Sequence, residues 1–149
     1  MTADVRLTDA AFDPAALLAA FTGRFGGAGG VVSFLGQVRD GDGDGVEALE
    51  LRHYAPLTLP GMEALAATVL ARWSLEGLLV IHRHGVMLPG DPIVMVAAAA
   101  RHRREAFAAT DFVMDHLKSD SWFWKREKTA SGWRWIEPRT QDLADRARW

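Results

Sequence analysis

The sequence has no cysteine and a single tyrosine among its 149 residues. The missing thiols exclude disulfides, thiolate metal sites and a cysteine nucleophile, and are compatible with a cytoplasmic protein. No apolar run reaches the roughly 18 residues of a membrane span; the longest candidate, Pro92–Ala100, is too short. The first residues, MTADVRLTD, lack a basic stretch followed by an apolar one, so no secretory signal is expected. Walker loop, GxGxxG and Ser-His-Asp order are all missing. There is no excess of one charge either, the net value being −2, which speaks against a long polyanion as partner.

The charge that is present is unevenly spread. Residues 1–50 carry three basic and eight acidic side chains, residues 101–149 eleven basic and eight acidic. A positive site on a mildly acidic protein suggests a small anionic ligand. Length and composition fit one domain over 1–149 with a real core.

Periodicity gives the elements. Val5 and Leu7 suggest a first strand, and Asp13-Pro14 caps a helix through Ala15–Phe21. Val31–Val38 reads as a buried strand. DGDGDG at 40–45 has a spacing reminiscent of a calcium loop but lacks the downstream ligands, so a turn is expected. Val46–Tyr54 is the next strand, Pro56–Pro60 a loop and Gly61–Trp73 an amphipathic helix. Leu78–His84 and Ile93–Ala100 are strands, the second central. Arg101–Lys118 is the longest helix. Trp122–Glu127 and Trp133–Glu137 form a hairpin through Ala130-Ser131-Gly132, and the charged tail 141–149 is compatible with a helix. Without a regular βαβ rhythm, the fold class is α+β, a mixed or mostly antiparallel sheet with two main helices.

Two basic clusters are candidates for chemistry. Arg101-His102-Arg103-Arg104 opens a helix, where backbone N–H groups and the dipole attract anions; a solvated basic turn explains it equally well. Lys118 ends the same helix, where a cation suits the dipole, and Lys125 follows on an aromatic strand. Strand alternation puts Trp122, Trp124 and Arg126 on one face and Phe123, Lys125 and Glu127 on the other. A lysine between rings is partly desolvated, which lowers its pKa; a snorkelling surface lysine is the plainer alternative. Arg39, after the Val31–Val38 strand, is suited to fork onto a phosphate or carboxylate. The histidines suggest no metal site.

FLGQVRD (34–40), LRHYAPLTLPGME (51–63), VIHRHGVMLPGD (80–91), AAARHRREAF (98–107) and FVMDHLKSDSWFWKRE (112–127) together resemble the catalytic (large) subunit family of molybdopterin synthase, over roughly residues 30–139. The resemblance implies an α+β fold with a hammerhead-like subdomain. It implies sulfur transfer that turns cyclic pyranopterin monophosphate into molybdopterin. The sulfur would come from the C-terminal thiocarboxylate of a small ubiquitin-like partner, with the catalytic subunit as a homodimer inside a heterotetramer. No cofactor, nucleic acid or membrane is implied. Lys118 matches the family's best-supported catalytic lysine and Lys125 a second. Gln37, Val38, Arg39, His102 and Arg103 match substrate-binding positions, with Arg126 and Glu127 lining the same pocket. The chain departs from the pattern at Gln37, where lysine is frequent, at Trp122, where proline is, and in a longer link over Ala55–Leu59. A reading from a different class is a single-stranded nucleic-acid module, in which Trp122, Phe123, Trp124 and Trp133 interleave with Lys125, Arg126, Lys128 and Arg134.

Overall fold

The computed structural model describes residues 3–40, 45–120, 122–137 and 139–149. Most of the DGDGDG turn therefore lies outside the described residues. Among the described residues, two four-stranded sheets and four helices make an α+β fold, as the sequence leads one to expect.

The first sheet has the order β1-β4-β6-β2, from β1 (Asp4–Thr8), β2 (Gly30–Gln37), β4 (Gly77–Arg83) and β6 (Pro92–Ala100). β1 pairs with β4 in parallel, and the other pairings are antiparallel. Alternation along β4 and β6 divides the core in two. Leu78, Val80, Val94, Val96, Ala98 and Ala100 face α2 (Ala55–Arg72) and α3 (Arg103–Ser119). Leu79, Ile81, Met95, Ala97 and Ala99 face α1 (Pro14–Arg24), through Phe21 and its neighbours. β6 is buried on both faces, which is why it reads as a continuous apolar run. Asp13 caps α1, its carboxylate accepting from the amides of Ala15 and Ala16.

The second sheet, order β5-β3-β7-β8, is antiparallel and consists of β3 (Ala48–His53), β5 (Gly85–Met87), β7 (Phe123–Thr129) and β8 (Gly132–Ile136). Leu49 and Leu51 fix it to the larger core from its inner face. The short β5 was not foreseen, being three residues with little pattern. The last helix, α4 (Thr140–Ala147), lies against the end of α3.

Pro56–Pro60 corrects the sequence reading, because it is not a loop: α2 starts at Ala55. Pro56 falls in the first turn, where its missing N–H would be unpaired anyway. Thr58 donates its hydroxyl to the carbonyls of both Tyr54 and Trp122, at 3.1 and 3.0 Å. Pro60 removes one internal hydrogen bond, and the buried Thr58, Met62 and Leu65 carry the helix through it. Gly61 lies against the Trp122 indole so closely that a β-carbon would come within 2.7 Å of three ring atoms.

Candidate active site

A pocket of about 220 Å³ opens where the two sheets and the ends of α3 and α4 meet. β2 runs out into it with Gln37, Val38 and Arg39. The backbone of Val38 is pinned, its N–H donating to the Asp91 carbonyl at 3.0 Å and its carbonyl accepting from Gly90 at 2.7 Å. Gly90 makes that turn possible with φ of +90°. Val38 is thus buried, while Gln37 and Arg39 project on either side of it. α3 contributes Lys118 from its last turn, and the inner face of β7 contributes Lys125 and Glu127. Arg139 and Asp142, from the start of α4, complete the polar wall, with Val46, Leu49 and Ile93 as the apolar part.

The pocket is therefore cationic, with Arg39, Lys118, Lys125 and Arg139 against Glu127 and Asp142. Lys118 is open towards the mouth but crowded by protein elsewhere. Loss of water around it lowers its pKa, the neighbouring Lys125 charge lowers it further, and Asp142 opposes both. Lys118 also adds its charge to the field at His82, which is buried and held neutral, its pKa pushed down to about 3 chiefly by desolvation. The His82 ring stacks on Phe123 at 4.0 Å, and its Nδ1–H donates to the Arg83 carbonyl at 2.9 Å. Glu127 sits 3.7 Å from Arg134 on the neighbouring strand.

Six of the nine residues singled out in the sequence meet here: Gln37, Val38, Arg39, Lys118, Lys125 and Glu127. Three do not. Arg126 follows the strand alternation and points to the opposite face of the sheet. There its Nε and Nη2 donate to Glu50 at 2.9 and 2.6 Å, and its guanidinium lies 4.4 Å from the Trp133 ring. His102 and Arg103 lie at the other end of α3, fifteen or more residues and so about 22 Å from Lys118. Within one chain they and Lys118 cannot grip the same small molecule. Arg139 and Asp142 escaped the sequence reading because no spacing ties an isolated Arg and Asp near the end of the chain to residues 37–39.

The interleaved aromatic strip forms only in part, with Lys128 beside Trp133 on the outer face of the second sheet. Phe123 is taken up by His82, Trp122 packs partly buried against Gly61, and Lys125 lies on the face opposite Trp124. Trp124, Trp133 and Trp135 remain on the outer face, where Arg126 is already held by Glu50. No helix among the described residues is long and apolar enough to cross a membrane.

Residues 7–120 match the family model described as MoaE protein. The molybdopterin synthase catalytic subunit of Ralstonia nicotianae is 46% identical over 146 residues, covering 97% of this chain and 83% of the relative. That of Cereibacter sphaeroides is 50% identical over 123 residues, covering 83% and 84%. Among solved structures, the molybdopterin biosynthesis MoaE protein from Burkholderia ambifaria superposes with a TM-score of 0.82 at 42% identity, covering 99% of this chain and 98% of that one. With sequence match, fold and basic pocket in agreement, the chain belongs to the MoaE family of molybdopterin synthase catalytic subunits.

Proposed function

We propose that the pocket transfers sulfur to a cyclic pyranopterin monophosphate from the thiocarboxylated C-terminus of a small ubiquitin-like partner, making molybdopterin. The observation that carries this reading is the convergence of Lys118, Lys125 and Arg39 in one cleft, with Lys118 partly desolvated. Arg39 forks onto the substrate's phosphate. The thiocarboxylate sulfur attacks a carbon of the pterin side chain, so that a C–S bond forms and a C–O bond breaks. The departing oxygen takes a proton from one lysine ammonium or keeps its charge beside it. The partner is then bound through a thioester, and attack by water develops an oxyanion that the second lysine holds. Hydrolysis returns the partner as a carboxylate and leaves one sulfur on the substrate; a second thiocarboxylated partner repeats the transfer at the neighbouring carbon, so that two partners are consumed for each dithiolene.

The cleft is smaller than the roughly 300–1,000 Å³ of a self-sufficient small-molecule site, which supports a site completed by other chains. An extended partner tail fills part of the need. A second copy meets the rest, because His102 and Arg103 serve this substrate only if another protomer delivers them. The unpaired edge of β2 supports that dimer. It carries exposed Phe34 and Leu35, beside exposed Phe107 on α3.

The test is single-turnover conversion of the cyclic pterin with a thiocarboxylated partner. Lys118→Ala should slow it by about 10²- to 10⁴-fold, the usual worth of a general acid, with Lys118→Arg restoring whatever part charge alone supplies. Full activity in the alanine variant would remove Lys118 from the chemistry. Because Lys118 acts as a cation, the rate should fall at alkaline pH below the ordinary lysine value of 10.5.

A further inference from the structure

The helix α4 has no buried residue, so packing into the core does not explain its place. It is tied down by polar contacts instead. Arg146 meets Asp120 at 2.6 Å, Arg148 meets Asp111 and Asp115 at 2.6 and 2.9 Å, and the Trp149 indole N–H donates to Asp115. The Trp149 ring packs edge-on against Trp73 and Phe112. A helix of eight residues is marginal by itself, and these contacts fix it across the last turns of α3.

This clamp brings one free carboxylate into the pocket wall. Asp142 stands in the first turn of α4, and among the described residues no hydrogen bond or ion pair engages its side chain. The other pocket acid, Glu127, is already paired with Arg134. The charged groups that face Lys118 are Lys125 and Glu127 from β7, Arg39 beyond β2, and Arg139 and Asp142 from α4, with neutral His82 behind it on β4. With four cations against two acids, a charged Lys118 beside a charged Lys125 is disfavoured unless an acid answers it.

We infer that Asp142 is a positioning residue for Lys118: it stands in the wall of the same pocket, beyond ion-pair distance, and its carboxylate favours a charged lysine among the surrounding cations. Burial and Lys125 both work against that charge, and Asp142 is the group that opposes them. The inference rests on reading this cleft as the catalytic one. In that reading a charged Lys118 is one of the two ammonium groups available to the departing oxygen. On this inference Asp142 acts through the lysine and not by contact with the substrate.

The chain has three lysines, Lys118, Lys125 and Lys128, so their side-chain NMR signals in lysine-labelled full-length protein can be assigned with Lys118→Arg. In Asp142→Asn, Lys118 should lose its proton at a lower pH than in wild type, while Asp142→Glu restores the wild-type midpoint. Asp145→Asn, which alters a carboxylate of the same helix outside the pocket, should leave it in place. A Lys118 midpoint in Asp142→Asn equal to that of wild type overturns the inference. In single turnover, the alkaline limb of Asp142→Asn should move to lower pH with substrate affinity not weakened. Weaker affinity would make Asp142 a substrate contact and would also overturn it. A wild-type protein that does not convert the pterin, yet shows the lysine shift, would defeat the functional reading and leave the Asp142–Lys118 pair standing.

Discussion

His82 is a buried histidine that folding keeps neutral, and it makes stability depend on pH. The unfolded chain binds a proton near 6.5, while the folded chain does not until about 3. Stability is therefore complete above 6.5 and falls as pH drops through that window. Between pH 7 and 5 the loss is about 2 kcal/mol at 1.36 kcal/mol per unit, with His84, also lowered by burial, acting in the same direction. Urea midpoints at the two pH values measure it, and His82→Phe should flatten the difference; an equally steep dependence would assign it elsewhere. Glu50 acts in a different range. Hydrogen bonds from Arg52 and then Arg126 hold its carboxyl below the usual value of 4.5, so its contribution is present above that value and lost as pH falls through the lowered one. Glu50 is itself nearly covered, but its partner Arg52 is more than half exposed, so solvent screens part of the interaction. Glu50→Gln at neutral pH should cost about 1–2 kcal/mol, less than the full worth of charge-assisted bonds, as read from the urea midpoint.

The elements differ in how openly the sequence announced them. β6 was legible because a strand buried on both faces leaves an unbroken apolar run, and α1 because Asp13-Pro14 is a cap. α2 was misjudged at its start because two prolines signal a loop locally, whereas Thr58, held by Trp122 from 64 residues away, decides the matter. The same limit applied to the pocket. Alternation put Lys125 and Glu127 on one face of the strand and Arg126 on the other, whereas the resemblance put all three in the pocket; the structure follows the alternation. Arg139 and Asp142 depend on how α4 is clamped, which is a tertiary fact. One contact between elements is tight enough to test. Gly29 lies so close to the Arg101 carbonyl that a β-carbon would sit 2.0 Å from its oxygen, with backbone on both sides. Gly29→Ala should therefore cost about 1–3 kcal/mol or more and displace the turn bearing His102 and Arg103. A variant with an unchanged urea midpoint would mean that β2 and α3 part easily.

For the molecule as a whole, the two ends of α3 pose a question of assembly. If a second protomer supplies His102 and Arg103, Lys118→Ala and Arg103→Ala chains carry their defects in different halves of each shared site. Mixed and allowed to exchange, they should recover roughly a quarter of wild-type sites, since half the dimers are hybrid and each hybrid holds one intact site. No recovery would mean that Arg103 serves another purpose. Phe107→Asp, in the apolar groove beside β2, should shift the chain to a monomer by light scattering and weaken substrate binding in the same way as Arg103→Ala. α3 then acts as a ruler. Its seventeen residues set the spacing between the end bearing His102 and Arg103 and the end bearing Lys118. One residue inserted between them would lengthen it by about 1.5 Å and swing Lys118 through about 100° around the axis, out of the cleft. Length should accordingly drift in the turns of this family's members and hold constant in this helix, whatever happens to its surface composition.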